Sequence, residues 1–207
     1  MKTILLFRHA KSDWTSDTPD IERPLAERGR KAAVKMGRLI AASGAAPERV
    51  LASSAVRTRE TARLAAEAGF WKATERITDA LYEATPEAVL AEIQSEPDEA
   101  ATLVVIGHEP TTSRLAALLV GGGTFEVKTA SVLRIDVPVV RWADIGAGRG
   151  ALVWAIAPET LDVARYRQLK KKTEKAEEKA KAAATILTEA PNVVPGAAEA
   201  AAPNAAA

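Results

Sequence analysis

Short apolar runs recur along the chain, each followed by a longer stretch whose apolar residues fall at helical spacing. Ile4-Leu5-Leu6-Phe7 and Leu103-Val104-Val105-Ile106 are continuous apolar segments of strand length. Uninterrupted runs of this kind fit strands buried on both faces, the condition of a sheet covered by helices on each side. The pattern predicts strands at Thr3–Phe7, Arg49–Ala52, Thr102–Ile106, Ser131–Val137 and Ala151–Ile156. Between them the spacing predicts a helix over Leu25–Ala42, closed by Gly44, and another over Val56–Ala68, with Ser53 or Ser54 as its cap and Gly69 as its stop. A third opens at Thr85-Pro86 and runs to Gln94, and a fourth runs from Pro110 to Val120 before Gly121-Gly122-Gly123 breaks it. Strands and helices alternating through short links predict a three-layer α/β/α sandwich with a mostly parallel central sheet. No internal repeat is present.

Composition narrows the function classes. A length of 207 residues suits one domain with an appendage, and 47% hydrophobic residues are enough for a packed core. Lys and Arg number 28 against 27 Asp and Glu, so the net charge of +1 gives no reason to expect nucleic acid or an anionic membrane as partner. The chain has no cysteine, which excludes disulfides, thiol nucleophiles and cysteine zinc sites. It also suits a reducing compartment. The apolar start ends at Arg8-His9, too early for a signal-peptide core or a membrane span, so a cytoplasmic protein is expected.

The composition changes near residue 166. Residues 1–165 read as the main folded domain. Residues 166–190 form a Lys/Glu/Ala-rich block with opposite charges four apart, such as Lys170 with Glu174 and Glu177 with Lys181, and few apolar residues to bury. They predict a solvated helix, with a basic docking arm as the alternative reading of Lys170-Lys171-Lys172. The Ala/Pro tail 191–207 is expected to be disordered.

The two histidines, His9 and His108, share one structural address. Each follows an apolar strand, and residues just beyond the carboxyl ends of such strands line the ligand crevice of an open α/β sheet. Arg8 precedes His9, Lys11 follows it by two, and Arg57 lies in the first turn of the helix after the second strand. The helices that begin after Ser54 and Glu109 direct amides and positive dipole ends to the same place. Imidazoles, guanidiniums and helix ends around one point make a pocket for a compact dianion, most naturally a phosphoryl group.

Three motifs in order, Arg8-His9-Ala10-Lys11-Ser12, Ser53-Ser54-Ala55-Val56-Arg57-Thr58-Arg59-Glu60-Thr61-Ala62 and Gly107-His108-Glu109-Pro110, resemble the histidine phosphatase superfamily with its phosphoglycerate-mutase-like fold. The Arg-His-Ala-Lys-Ser form, with Arg23-Pro24-Leu25 before the first helix, resembles the SixA-type phosphohistidine phosphatase branch. The resemblance implies that His9 is the nucleophile and becomes phosphorylated. It implies a phosphate pocket of Arg8, Arg57 and His108, with Lys11 and Ser12 beside it, and neither metal nor cofactor. Arg59 competes with Arg57, although the spacing Arg57-Thr58-x-x-Thr61-Ala62 fits the family pattern with Arg57. Ala26 stands where the family often has a helix-capping threonine. Leu81-Tyr82-Glu83 matches the stretch that carries a proton donor in many members, so Glu83 reads either as a catalytic acid or as a loop carboxylate.

The implied substrate is phosphohistidine on a phosphotransfer protein, with small phosphomonoesters or phosphoserine and phosphothreonine as alternatives. Two further classes stay open. One is a metal-dependent hydrolase using His9, His108 and the Asp13, Asp17, Asp20 loop, and the other is a non-catalytic phosphoprotein-binding module.

Overall fold

The computed structural model describes residues 1–15, 17–161, 168 and 171–179. Between Lys2 and Ile156 the described residues form, in order, β1 Lys2–Arg8, α1 Glu27–Ala42, β2 Arg49–Ser53, α2 Val56–Gly69, β3 Thr74–Thr78, α3 Pro86–Gln94, β4 Thr102–Gly107, α4 Thr111–Val120, β5 Val132–Val137 and β6 Ala151–Ile156. The strands form one sheet in the order β3-β2-β4-β1-β5-β6. β3, β2, β4 and β1 run parallel to one another, β5 pairs antiparallel with β1, and β6 pairs antiparallel with β5. This is the predicted sandwich, mostly parallel where the motifs sit.

Successive residues of β1 point to opposite faces, which is why its run is apolar throughout. Ile4 and Leu6 join Leu51, Leu103 and Val105 beneath α3 and α4, where Val89, Ile93, Leu115 and Leu119 complete one core. Leu5 and Phe7 join Val50, Ala52, Val104 and Ile106 on the other face, covered by Ala33, Met36 and Ile40 of α1 and Ala62 and Ala65 of α2. Two glycines let backbones meet closely in this second layer. A Cβ on Gly37 would overlap the Ala65 carbonyl of α2, and one on Gly29 would overlap the Lys11 carbonyl, so α1 lies directly on the loop that follows β1.

Several element ends differ from the sequence reading. β3 was not foreseen, because Thr74-Glu75-Arg76-Ile77-Thr78 is a polar edge strand with no buried residue. α1 begins at Glu27 rather than Leu25, because the Leu25 amide donates to Glu60 Oε2 at 2.6 Å and Leu25 bridges to Ser12 as extended chain. Its N-cap is Ala26, with no side-chain hydrogen bond. Neither Ser53 nor Ser54 caps α2. Ala55 is the N-cap, since Ser53 still belongs to β2 and its hydroxyl meets His108. Gly69 is inside α2, and the left-handed residue that ends it is Phe70, with φ 54°. α3 opens at Thr85-Pro86 as expected, with Thr85 as its cap, accepting from the Ala88 amide at 3.3 Å.

By contact density the chain divides into Met1–Thr173 and Glu174–Ala207. Residues 171–179 are helical and largely exposed. The rest of the predicted helix 166–190, apart from residue 168, and the whole tail 191–207 lie outside the described residues. Among the described residues, no helix is long and apolar enough to cross a membrane.

Candidate active site

Parallel pairing places Arg8 opposite Gly107, so the residues that follow β1 and β4 leave the sheet side by side. His9 and His108 therefore meet, with ring centroids 5.1 Å apart. The His9 amide continues the ladder to the Gly107 carbonyl at 3.0 Å.

His9 is 8% exposed. Its Nδ1 lies 2.8 Å from the Ala10 carbonyl. A carbonyl only accepts, so Nδ1 carries the proton and Nε2 keeps the lone pair. Burial is the main force holding the imidazole neutral, and the charges of His108, Arg57 and Arg8 add to it, so its pKa is pushed down to about 3. His108 is fixed from both sides. Arg57 Nη2 donates to its Nδ1 at 3.3 Å, and its Nε2 then donates to Ser53 Oγ at 2.9 Å. Burial, followed by Arg57, pushes its pKa down to about 4.

Arg57 is buried in the first turn of α2, while Arg59 is exposed. The helix therefore presents Arg57 to the histidines. Arg57 Nη1 donates to the Asp20 carbonyl at 2.5 Å, and Nη2 donates to Asp20 Oδ2 at 2.8 Å. The same carboxylate oxygen accepts from the Tyr82 hydroxyl at 3.0 Å, and the other forms an ion pair with Arg23 at 2.5 Å. Burial works against the Asp20 charge, but Tyr82, Arg57 and Arg23 outweigh it and hold this carboxyl below its ordinary range. Asp20 thus clamps the terminal edge of Arg57. Tyr82 closes the group, its ring edge-on to His108 with centroids 5.7 Å apart.

Arg8 donates through Nη1 to the Val127 carbonyl at 2.7 Å. Nε of both Arg8 and Arg57 is buried without a hydrogen-bond partner among the described residues. A buried donor left unsatisfied costs about 1–3 kcal/mol, and a phosphoryl oxygen is the type of acceptor that relieves it.

A cleft of about 460 Å³ opens beside this group, lined by Asp20, Arg57, Tyr82, Glu83, His108 and Arg114 among others. Glu83 sits on its wall with a left-handed backbone, φ 53°. That conformation is uncommon for a residue with a side chain and concentrates at functional sites. Glu109 is occupied differently, accepting from the Ser113 amide at 3.1 Å and the Ser113 hydroxyl at 2.6 Å at the start of α4. Ser12 is buried in the bridge to Leu25 and lines neither this cleft nor the one that holds Lys11. Lys11 lines that second cleft together with Arg8.

Asp20, Tyr82, Ser53 and Thr61 complete the arrangement without having been singled out for it. Thr61 Oγ1 accepts from the Ala10 amide at 3.0 Å and donates to the Arg57 carbonyl at 2.6 Å, tying the loop after β1 to α2. Its place in the Arg57-Thr58-x-x-Thr61 motif was the available signal. Asp20 had none, being 37 residues from Arg57. Of the metal-loop alternative, Asp20 is spent on arginines and tyrosine, and Asp13 accepts from Thr15. Among the described residues no group of three or more His, Asp or Glu gathers as a metal site.

The chain is similar to known proteins in sequence and in fold. The family model of the histidine phosphatase superfamily (branch 1) matches residues 4–85. An uncharacterized protein of Mycobacterium tuberculosis is 39% identical over 158 residues, spanning 70% of this chain and 96% of its own length. A structure from Nakamurella multipartitia, described as a phosphohistidine phosphatase SixA, is 28% identical and superposes with a TM-score of 0.65 over 76% of this chain and 96% of its own. The chain belongs to the histidine phosphatase superfamily. The fold agrees with a second SixA structure, a protein histidine phosphatase complexed with tungstate, at a TM-score of 0.68 and 22% identity over 77% of this chain and 99% of that one. As a SixA-type member of the superfamily, the protein is a hydrolytic phosphatase.

The two neutral imidazoles make this phosphatase's stability pH dependent. Both folded pKa values lie below the ordinary 6.5, so as pH falls the unfolded chain takes up protons that the folded chain refuses. The stability is complete above the unfolded value and drains away as pH drops toward the folded values of about 3 and about 4. The unfolding free energy, followed by urea titration, is expected to fall between about pH 6.5 and 4.5, by at most about 1.4 kcal/mol per pH unit for each histidine fully refused a proton. A His9→Asn/His108→Asn double variant should show a flatter profile across that window. Parallel profiles would mean that the imidazoles titrate as in water.

Proposed function

We propose that this phosphatase transfers the phosphoryl group to His9 Nε2, and that its substrate is phosphohistidine on a protein phosphotransfer domain. The observation that carries the reading is the pair of unpartnered, buried Nε–H donors of Arg8 and Arg57 beside a neutral, tautomer-fixed His9. In the first step the Nε2 lone pair attacks phosphorus in line. The P–N bond of the substrate breaks, and its electron pair and a proton go to the departing imidazole. In the second step water attacks the phosphohistidine, the P–N bond to His9 breaks, and the pair returns to Nε2 as inorganic phosphate leaves. Arg8 and Arg57 neutralise the equatorial oxygens throughout. Arg57 and Ser53 hold the His108 ring, and an arriving dianion raises its affinity for a second proton.

Glu83 belongs to this reading as the proton donor for a poor leaving group. An alkoxide needs a positioned acid, which contributes about 10²–10⁴-fold, whereas an imidazole protonated from solvent leaves without one. Glu83→Gln is therefore expected to cut hydrolysis of an alkyl phosphomonoester severely and to spare phosphohistidine, with phosphohistidine the faster substrate of the unaltered enzyme. Equal losses on both would make Glu83 a positioning residue. A preference of the unaltered enzyme for the alkyl ester would favour a small-molecule phosphatase, and binding without turnover would favour a phosphoprotein-binding module.

A cytoplasmic location and a catalytic domain confined to residues 1–165 complete the reading. The cysteine-free composition and the absence of an apolar stripe in the Lys/Glu/Ala block support them. Deleting residues 170–207 is expected to leave turnover of a small substrate within about twofold of the full chain. A larger loss would join that segment to the domain.

A further inference from the structure

A second cleft, of about 430 Å³, shares no lining residue with the cleft of Arg57 and His108. It is lined by Arg8, Lys11, Arg28, Lys128 and Glu159 among others, so four cations face one carboxylate. The charges come from the end of β1, the loop after it, the first turn of α1 and the segment before β5. Nearby carboxylates neutralise little of this positive charge. Lys128 reaches Glu126 and Glu159 only at 3.9 and 4.0 Å, with all three side chains more than half exposed, a geometry that contributes little. Arg28 has no hydrogen-bond or ion-pair partner among the described residues.

Nothing in the stability of the fold asks for Arg28. It occupies the first turn of α1, where the positive end of the helix dipole disfavours a cation, and Ala26 provides no side-chain cap there. Helix end, Arg28, Lys11 and Lys128 together favour negative charge arriving from outside. The cleft adjoins the reacting centre through Arg8, whose charge acts on both His9 and His108.

We propose that this cleft docks acidic side chains of the phosphoprotein substrate that flank its phosphohistidine. The inference rests on the reading of protein phosphohistidine as substrate. Two features select carboxylates on a protein over a compact free anion. Arg28 and Lys128 are exposed and stand apart around an open rim, an arrangement that steers and orients a broad partner. On the same loop as Lys11, Trp14 is 69% exposed, its ring covered by the Arg23 guanidinium at 3.6 Å and with Lys11 Nζ 6.0 Å away. An exposed indole beside a basic cleft is the kind of anchor that protein partners use.

The test uses the full chain, its Arg28→Glu/Lys128→Glu variant, three phosphoramidate substrates and an alkyl phosphomonoester as control. Two are phosphohistidine peptides of equal length, one with Asp and Glu flanking the phosphohistidine and one with Asn and Gln in their place. The third is phosphoimidazole, which has no flanks. The unaltered enzyme is expected to favour the acidic peptide by about tenfold or more in kcat/KM, mainly through KM, with a preference that shrinks as salt rises. The double variant should lose that preference and keep phosphoimidazole turnover within about twofold. Equal use of the two peptides by the unaltered enzyme overturns this inference alone, as does a variant that loses phosphoimidazole turnover to the same extent. Failure to cleave either peptide while an alkyl phosphomonoester is hydrolysed overturns the phosphohistidine reading, and the docking site with it.

Discussion

His9→Ala is expected to abolish turnover of every substrate while leaving the protein folded, and to remove the covalent phosphoryl label. The unaltered enzyme, quenched rapidly during turnover, should carry phosphate that is labile in acid and stable in alkali, as a P–N bond is. The expectation follows from one hydrogen bond. Because Nδ1 is committed to the Ala10 carbonyl, Nε2 is the ring nitrogen left to attack, and it is unprotonated at neutral pH because the site is buried and surrounded by positive charge. Truncation to alanine removes the nucleophile together with the intermediate that divides the reaction in two. A label that persists in His9→Ala, or that maps to His108, would reverse the roles of the two rings.

Arg57→Ala is expected to lower kcat/KM by about 10²–10³-fold or more, the usual consequence of losing a fixed donor to a transferring phosphoryl group. Arg59→Ala should cost less than about threefold, since its side chain is exposed on the far side of the same helical turn. The effect of Arg57→Ala has two physical parts. The phosphoryl oxygens lose a guanidinium, and His108 loses the donor that holds its Nδ1 edge. Asp20 would also be left with one arginine fewer. Steady-state kinetics on one small substrate compare the two variants directly, and a larger loss in Arg59→Ala would mean that α2 is rotated relative to the arrangement described.

The strands at the centre of the sheet were legible because their requirement is local. Ile4 to Phe7 and Leu103 to Ile106 bury side chains on both faces, so no polar residue is tolerated and the run is visible without any partner. Thr74–Thr78 escaped notice for the converse reason. An edge strand needs neighbours on only one side and keeps polar side chains in water, which leaves it without an apolar signature. Helix ends were read less well than helices. Ser53 looks like a cap for α2, but β2 extends through it and His108 takes its hydroxyl, while Phe70 adopts the left-handed turn expected of a glycine.

Sequence alone determined that two histidines follow two buried strands, that arginines accompany them, and hence that one crevice collects imidazole and guanidinium groups. Those are consequences of period and order, which each segment carries within itself. Tertiary structure alone decided where each group sits and what it touches. The parallel register of β1 with β4 brings the rings to 5.1 Å, the rotation of α2 selects Arg57 over Arg59, and the Ala10 carbonyl chooses the free nitrogen of His9. Asp20, drawn from a loop 37 residues away, occupies the Nη edge of Arg57 and leaves its Nε–H unpaired. Lys11, next but one to His9 in the chain, lines a different cleft from His108. Hydrogen-bond partners and the sharing of cations between clefts depend on angles and distances between elements far apart in the chain, and no local pattern of residues encodes them.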